Sequence, residues 1–246
     1  MKKLSILISL VLLVGLVFST SISLAEETTI TILHFNDLHG YLEPFKVSQD
    51  SEETIGGIAR IATLVKRISA EQPDTILLNA GDSVHGTNIA NLFLGESVIE
   101  ALNMLGVDAT AIGNHDFNYG LERLKNLIEK ASFPFLSANL EYKDGTPIDF
   151  IKPYVIEEVG GIEVGIIGLT TPETVYLTHP KNVENLQFLD LVETASIAVE
   201  EIGDEVDLLV VLAHLETKED EEVAEETPGL DVIVGGHTHL EKSYKV

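Results

Sequence analysis

Apolar and polar positions divide the chain into short runs of β-branched residues and longer segments in which apolar residues recur every three or four positions. Runs of about four to eight apolar residues predict buried strands, and the longer period predicts amphipathic helices. Residues 58–68, with apolar side chains at 58, 61, 64, 65 and 68, show the helical period clearly. The predicted strands are 30–35, 75–79, 107–112, 134–139, 154–158, 162–169, 206–212 and 230–234, and the predicted helices are 58–68, 97–105, 121–130 and 190–202.

The alternation of strands and helices is typical of a layered α/β domain that contains mixed sheets. The strands predicted over 154–158 and 162–169 are separated by Gly160-Gly161, which indicates a hairpin. Asp190 is a suitable N-cap for the helix that runs to Ile202. A length of 246 residues suits one full domain with a sizeable core and is short for two.

Polar residues with metal-binding chemistry follow five of the apolar runs. They include five of the eight histidines in the chain. Histidines scattered through the core or over the surface would hardly cluster in this way. Because each segment comes directly after an apolar run, we expect all five at the same edge of a sheet. The segments are Asp37-Leu38-His39, Gly81-Asp82, Gly113-Asn114-His115-Asp116, His214 and Gly236-His237-Thr238-His239.

These residue types suit a pair of transition-metal ions. Carboxylate, amide and imidazole donors together favour Mn, Fe, Co, Zn or Ni over Ca or Mg alone. Two such ions about 3.5–4 Å apart can hold a bridging hydroxide and stabilise both the attacking and the leaving oxygen of a phosphoester. Asp82 has two oxygens and could bridge the ions. His115, which neither coordination shell needs, could support the transition state.

Each of these residues also has an ordinary structural explanation when it is considered alone. Asp82 could cap a helix, Asp37 could end a turn, and Asn114 could belong to the chemistry of a turn. Their shared position after apolar runs makes coincidence the weaker hypothesis. Two other histidines are set aside, because His34 is expected in the core and His85 is disfavoured as a site residue.

The composition excludes some kinds of metal ligand and argues against some classes of partner. The chain has no cysteine, which excludes disulfides and thiolate ligands, and its formal net charge is −25. So acidic a surface argues against nucleic-acid polymers and anionic lipids as partners. Two divalent cations would reverse the sign of the field where a phosphate binds. The acidic run 216–226 is interpreted as a solvated helix face in preference to a device that attracts cations.

The first 25 residues predict a signal peptide. Lys2 and Lys3 precede the apolar stretch from Leu4 to Phe18, and Ser23-Leu24-Ala25 suits cleavage before Glu26. Residues 26–246 would then form an exported catalytic domain, secreted or otherwise extracytoplasmic, with no stable membrane span. An uncleaved membrane anchor is the alternative.

Four motifs form an ordered set along the chain. They are Thr31-Ile32-Leu33-His34-Phe35-Asn36-Asp37-Leu38-His39-Gly40, Gly81-Asp82-Ser83, Gly113-Asn114-His115-Asp116-Phe117 and Gly235-Gly236-His237-Thr238-His239. With these motifs the chain resembles the calcineurin-like metallophosphoesterases, and within them the secreted 5′-nucleotidase branch, over residues 28–240. The resemblance implies a four-layer α/β fold with two mixed β-sheets packed face to face and flanked by helices.

The same resemblance implies seven ligands for two divalent metal ions, in two groups that share Asp82 as the bridging residue. The first group is Asp37, His39, Asp82 and His239, and the second is Asp82, Asn114, His214 and His237.

The resemblance also implies that His115 stabilises the transition state. In most relatives with 5′-nucleotidase activity, an aspartate two positions after the acidic residue of this motif orients the histidine, whereas this chain has Asn118 there. The segment 113–120 is similar to the 2′,3′-cyclic-nucleotide phosphodiesterase/3′-nucleotidase branch. Asp116 is the alternative partner of His115, although a structural role is favoured for it.

These observations predict a secreted phosphoesterase that hydrolyses nucleotides, of the 5′-nucleotidase or the cyclic-phosphodiesterase type, through a metal-bridging hydroxide. A small non-nucleotide ester is the alternative substrate. In the family a C-terminal domain binds the base and the phosphate. We expect that domain to be absent here and the catalytic domain to be truncated at its C-terminal end. The competing hypothesis is a metal-binding fragment without turnover, which needs that domain or a partner chain to supply it.

Overall fold

The structure is a computed structural model that describes residues 28–46, 48–240, 243 and 245. The predicted signal peptide, residues 1–25, lies outside the described residues. Within these ranges no helix has both the length and the apolar character that crossing a bilayer requires.

Strands and helices alternate along the described chain. The strands are β1 (Thr31–Phe35), β2 (Phe45–Lys46), β3 (Thr54–Ile55), β4 (Thr75–Asn79), β5 (Ala109–Ala111), β6 (Phe135–Leu136), β7 (Leu140–Tyr142), β8 (Tyr154–Val159), β9 (Ile162–Thr170), β10 (Leu186–Phe188), β11 (Leu208–His214) and β12 (Val232–Gly235). The helices are α1 (Ile58–Glu71), α2 (Asn88–Leu92), α3 (Glu96–Leu105), α4 (Leu121–Ile128), α5 (Thr174–Leu177), α6 (Leu191–Ile202) and α7 (Thr217–Glu226). Short 3-10 helices cover Asn114–Phe117, Pro180–Asn182 and Gly203–Glu205.

The strands that precede the predicted ligands belong to two sheets. The first sheet has the order β1-β4-β5-β6, and its strand pairs are all parallel. The second has the order β12-β11-β9-β8, in which β8 alone runs antiparallel to its neighbour. The expectation of a single sheet edge was therefore wrong, since β1, β4 and β5 lie in one sheet and β11 and β12 in the other. The prediction of mixed sheets holds for the second sheet, whereas the described strands of the first are parallel.

Alternate residues of the central strands face different layers, as the two-residue period of a strand requires. Ile76 and Leu78 of β4 lie in a core between the two sheets, together with Ile166 of β9. Leu77 faces the opposite core, which it shares with side chains of α1, α3 and α4. A third core lies between the second sheet and the helices α6 and α7. The order helix, sheet, sheet, helix confirms the predicted four-layer fold.

Several elements coincide with their predictions. β4 covers the predicted residues 75–79, and β8 and β9 form the hairpin across Gly160-Gly161. Asp190 caps α6, because its Oδ1 accepts the backbone N–H of Glu193 at 2.9 Å. The acidic run forms a helix, α7, as its interpretation as a helix face requires.

Two strands of the first sheet are shorter than predicted. The predictions over 107–112 and 134–139 correspond to the three residues of β5 and the two residues of β6. After β6, Ser137 Oγ lies 2.9 Å from Thr170 Oγ1, and Asn139 Nδ2 donates to the Thr170 carbonyl at 2.8 Å. The chain therefore crosses to the second sheet instead of extending β6.

His34 is exposed, contrary to the expectation of a core position. It lies on β1, which among the described strands is an edge strand of the first sheet and is paired with β4 alone. A residue on an edge strand has a neighbouring strand on one side only and is therefore less shielded from solvent than a residue on a central strand. For this reason the apolar run 30–35 did not ensure that His34 is buried.

Gly168 in β9 marks a close approach of the two sheets. A Cβ atom at this position would overlap the backbone of Leu136 in β6. We expect Gly168→Ala to lower the free energy of unfolding by about 1–3 kcal/mol, the usual penalty for overpacking a core. Urea denaturation followed by circular dichroism measures the change.

Gly203→Ala is the matched control for this variant. A Cβ atom at position 203 would have its nearest neighbour 3.7 Å away, and the φ angle of −61° suits any residue. This variant should be neutral or slightly more stable. Equal destabilisation by the two alanines would contradict the close approach as the cause.

Candidate metal centre

The predicted ligands come together where the carboxyl ends of the two sheets meet. Six of them form two groups of three whose donor atoms lie within 4.8 Å of one another, and Asn114 adjoins them in the 3-10 helix after β5. The seven are Asp37 and His39 after β1, Asp82 after β4, Asn114 after β5, His214 at the end of β11, and His237 and His239 after β12.

Hydrogen bonds join the loops that carry these residues. The backbone N–H of Asp37 donates to the Gly81 carbonyl at 3.0 Å, and that of His39 donates to the Asp82 carbonyl at 3.0 Å. The backbone N–H of His237 donates to Asp37 Oδ2 at 2.9 Å. This last bond connects a loop of the second sheet directly to a loop of the first.

Most of the ligands have a left-handed backbone, which is uncommon for residues other than glycine. Six non-glycine residues of the described chain have positive φ, and five of them are predicted metal ligands. They are Asp37 (50°), His39 (44°), Asp82 (54°), His237 (72°) and His239 (53°). Strain of this kind costs about 1–3 kcal/mol per residue and collects at functional sites. The strained residues are thus five of the seven that the sequence motifs identify as candidate ligands.

The first group consists of Asp37, His39 and His239. Asp37 Oδ1 lies 3.6 Å from His39 Nε2 and 3.2 Å from His239 Nε2. The two imidazole nitrogens are themselves 3.3 Å apart. Asp37 Oδ1 is buried and has no hydrogen-bond partner among the described residues. Three donor atoms thus converge on one point, which is the geometry of a cation site.

The second group consists of Asp82, His214 and His237. His214 is fully buried, and its Nδ1 lies 2.7 Å from the Ala80 carbonyl, to which it donates. This bond leaves the lone pair of Nε2 facing inward, 3.1 Å from Asp82 Oδ2. Asp82 Oδ2 also lies 4.0 Å from His39 Nε2 in the first group. Asp82 is therefore placed between the two groups, where a bridging carboxylate belongs.

The donor set fits two divalent cations. Two buried oxygen atoms, Asp37 Oδ1 and Asn114 Oδ1, have no hydrogen-bond partner within the described chain, and His214 Nε2 has none while its ring is neutral. A buried polar atom without a partner costs about 1–3 kcal/mol, and coordination of a cation would remove that cost. Nitrogen and oxygen donors without sulfur suit Mn, Fe, Co, Ni or Zn.

The charges of the site are strongly coupled. Burial alone would raise the pKa of Asp37, but the adjacent His39 ring and the hydrogen bond from Asn36 lower it to about 2. Burial alone would lower the pKa of His214, but the hydrogen bond and charge of Asp82 raise it to about 9. Because a ligand histidine must be neutral, cation binding at His214 would release a proton.

Asp116 holds the turn that carries Asp82. Its Oδ1 accepts the backbone N–H groups of Ser83 and Val84, and its Oδ2 accepts those of Asp82 and Gly113. Burial and the charge of Asp82 raise the pKa of Asp116 to about 6, whereas the four donors favour its ionised form. Its carboxylate bonds to backbone and leaves the His115 ring to another partner, which agrees with the structural role favoured for it.

The side chain of Asn118 contacts the ring of His115. Its side-chain amide lies 2.7 Å from His115 Nδ1, and its Oδ1 accepts the hydroxyl of Thr178 at 2.8 Å. The Thr178 bond turns the NH₂ group toward the ring, so Nδ1 accepts and the neutral ring carries its proton on Nε2. Burial lowers the pKa of His115, which also favours the neutral form.

Three residues near the centre were missed or disfavoured from the sequence. His85 stacks on His115 with ring centroids 5.8 Å apart, and its Nδ1 lies 3.0 Å from the Asn118 amide. Its position three residues after Asp82 was the signal that could have found it. Glu216 Oε1 lies 3.2 Å from His237 Nε2. Thr178 and Glu216 carry no local signal, because Thr178 is 60 residues from Asn118 in sequence and Glu216 lies in an acidic run.

Comparison with protein families and curated proteins gives one consistent result. A family model described as calcineurin-like phosphoesterase matches residues 30–241. The snake venom 5′-nucleotidase of Gloydius brevicauda is 39% identical over 242 residues, which cover 94% of this chain and 40% of that protein. The chain thus spans about two fifths of the length of the curated relatives it matches.

Two solved structures share the fold over most of the chain. The 5′-nucleotidase precursor from Thermus thermophilus has a TM-score of 0.78 and 37% identity, over 86% of this chain and 42% of that one. The calcineurin-like phosphoesterase YfkN from Bacillus subtilis has a TM-score of 0.77 and 29% identity, over 86% of this chain and 72% of that one.

Divalent cations should stabilise the native protein. At a free concentration of Mn²⁺ about 100 times Kd, the stabilisation is about 2.7 kcal/mol, or a rise in Tm of about 5–10 °C. Thermal unfolding with Mn²⁺ and with a chelator measures the shift. His239→Ala, which removes a ligand whose side chain is 61% exposed, should reduce it. An equal shift in both proteins would contradict the assigned site.

Asp116→Asn should lower the free energy of unfolding by about 2 kcal/mol or more. An amide nitrogen cannot accept, so two of the four buried backbone N–H groups lose their partner, at about 1–3 kcal/mol each. Asp108→Asn is the control, because Asp108 accepts a single N–H, from Leu77, and an amide oxygen can replace that acceptor. Chelator-treated protein in urea gives both values. Similar losses would contradict the role assigned to Asp116.

Proposed function

Because the chain belongs to the calcineurin-like phosphoesterase family, we propose that it is a dinuclear-metal phosphoesterase that hydrolyses nucleotides. One observation carries the proposal. Donor atoms from both sheets form two groups, Asp82 of the second group also lies 4.0 Å from His39 of the first, and His115 adjoins them without belonging to either group. This arrangement matches the requirements of phosphoryl transfer, which are positioning and charge stabilisation.

The two cations would be held by the seven residues that the sequence predicted. Two bound divalent cations would supply a hydroxide nucleophile by lowering the pKa of a bridging water, and would neutralise phosphoryl charge. Asp37, His39 and His239 would hold the first, Asp82 would be shared, and Asn114, His214 and His237 would complete the second.

His115 would act on the phosphoryl group as a neutral donor. With Nδ1 occupied by the Asn118 amide, the Nε2 proton is available to an oxygen on which negative charge develops. The ring has little freedom, since His85 stacks on one face and His39 meets it edge-on at 5.2 Å. Fixed orientation of this donor is what makes it effective in the transition state.

Nucleotides are the proposed substrates because the similar proteins are named 5′-nucleotidases. Asn118 is relevant to which phosphoester of a nucleotide is hydrolysed. An amide orients His115 but cannot stabilise an imidazolium by charge, so the site depends on a neutral donor. We therefore include 3′- and 2′,3′-cyclic phosphates beside 5′-nucleotides as candidate substrates.

Export is part of the proposal. The charged and apolar pattern of residues 1–25 supports a cleaved signal peptide, and one similar protein is named for its occurrence in snake venom. A small phosphoester is the expected partner, and a nucleic-acid polymer is disfavoured by the net charge of −25.

The test is hydrolysis by the Mn²⁺-loaded full chain of bis-p-nitrophenyl phosphate, AMP, 3′-AMP and 2′,3′-cyclic AMP. We expect turnover, and we expect His115→Ala to reduce kcat by about 100-fold or more, in the range of a lost proton donor. His179→Ala is the matched control, because that side chain is exposed and its ring accepts only the backbone N–H of Lys181 among the contacts described. Its kcat should be unchanged.

Two outcomes decide between an enzyme and a metal-binding fragment without turnover. Turnover that is lost in His115→Ala and kept in His179→Ala supports the proposal, and the nucleotide comparison then identifies the preferred ester. Two bound cations per chain without turnover of any substrate would contradict the proposal. That result would support a metal-binding unit that needs a further domain or a partner chain.

A further inference from the structure

The side-chain amide of Asn118 contacts two histidine rings at once. Its nitrogen lies 2.7 Å from Nδ1 of His115 and 3.0 Å from Nδ1 of His85. Its oxygen accepts the hydroxyl of Thr178 at 2.8 Å. An amide NH₂ group has two N–H donors and no acceptor, so it bonds to two neutral imidazoles only where both accept through Nδ1. Both donors of Asn118 are thus used, one for each ring.

The two rings share one tautomer in this arrangement. A neutral imidazole has one N–H and one acceptor nitrogen, so acceptance at Nδ1 leaves the proton on Nε2 in both His85 and His115. An aspartate at position 118 would have no N–H and could not donate to either ring. The second histidine therefore gives a physical reason for an amide at this position.

Asn91 and Tyr119 hold the loop that carries His85. The Asn91 side chain bonds to both backbone groups of Gly86, since its Oδ1 accepts the N–H at 3.2 Å and its Nδ2 donates to the carbonyl at 3.0 Å. Asn91 Oδ1 also accepts the hydroxyl of Tyr119 at 2.6 Å, and the Tyr119 ring lies 5.3 Å from that of His85. These contacts keep the His85 ring beside His115, with an angle of 5° between the ring planes.

Few contacts fix the orientation of the His115 ring. Among the contacts described, the Asn118 amide is the one hydrogen-bond partner of this ring, and the other neighbours are the rings of His39 and His85. The amide could rotate about its last side-chain bond if its second N–H had no acceptor. Without His85, only the hydrogen bond from Thr178 would oppose that rotation.

We propose that His85 is a positioning residue for phosphoryl transfer, which accepts the second N–H of Asn118 and thereby fixes the amide that holds His115; this rests on the proposed function. His85 acts through Asn118 and makes no contact with the phosphoryl group. A proton donor is effective in the transition state only when its orientation is fixed. Loss of the acceptor at position 85 should therefore lower kcat and leave KM nearly unchanged.

Simple packing is the competing explanation for His85. A packing residue would only fill the space between the rings of His115 and Tyr119, and a phenyl ring could replace it. A hydrogen-bond acceptor can instead be replaced by asparagine, which carries a carbonyl oxygen close to the position of Nδ1. His85→Asn and His85→Phe are therefore a matched pair, because the two explanations predict opposite orders of activity for them.

A rotated Asn118 amide is a second alternative. Its oxygen would then accept an N–H from Nδ1 of both rings, and its NH₂ group would donate to Thr178 Oγ1. That arrangement places the proton on Nδ1 and leaves none on Nε2 of a neutral His115. The tautomer of the two histidines therefore distinguishes the two orientations of the amide.

The first measurement is ¹⁵N NMR of the chelator-treated full chain with labelled histidines, at about pH 8, above the ordinary pKa of histidine. Loss of signals in His115→Ala and His85→Asn assigns the two rings. We expect both to carry the proton on Nε2 in the unaltered protein. Asn118→Asp, whose carboxylate only accepts, is the positive control and should place a proton on Nδ1 of His115. A proton on Nδ1 in the unaltered protein would overturn the inference, however the variants fold.

The second measurement is turnover of bis-p-nitrophenyl phosphate by the Mn²⁺-loaded variants, after circular dichroism has confirmed that they fold. The value of kcat should fall about tenfold or more in His85→Phe and less in His85→Asn, with KM nearly unchanged in both. Equal kcat values, or a higher value in His85→Phe, would overturn the inference, while turnover by the unaltered protein would still support the proposed function. No turnover by the unaltered protein would overturn both.

Discussion

The carboxylate of Asp82, buried where the two sheets meet, is the interaction on which the rest of the site depends. Its Oδ1 accepts the backbone N–H of His115 at 2.7 Å, and its Oδ2 lies 3.1 Å from His214 Nε2. One side chain thus connects a loop of the first sheet with a strand of the second. A buried charge is costly unless it is paired and hydrogen-bonded, and here the surrounding donors offset that cost. Gly113 is required for the arrangement, because a Cβ atom there would overlap Asp82.

The candidate metal centre also concentrates backbone strain and buried polar atoms that lack hydrogen-bond partners. The left-handed ligand residues and the buried donors without partners both raise the free energy of the metal-free protein. Asp116 offsets part of this cost by accepting four backbone N–H groups around the Asp82 turn. The layers of helix and sheet supply the remainder through apolar burial, so a well-packed fold supports a site that is unfavourable by itself.

The net charge of the chain affects how the site can attract a phosphate. A net charge of −25 repels phosphate esters at long range, and the donor atoms of the centre add carboxylates without adding a lysine or arginine. Bound cations would supply the positive field that a phosphate needs.

The sequence by itself determined most of the strand and helix pattern, the position of β4 and the Asp190 cap, and it predicted the seven donor residues, because each of these depends on a local run or spacing. The resemblance of the motif around His115 to the family also pointed to position 118, where this chain has Asn118. Only the tertiary structure decided that the donors come from two sheets, that His34 lies on an exposed edge, and that His85, Thr178 and Glu216 join the site. These features depend on contacts between segments far apart in the chain or on which strand lies at an edge, and neither follows from the order of residues within one segment.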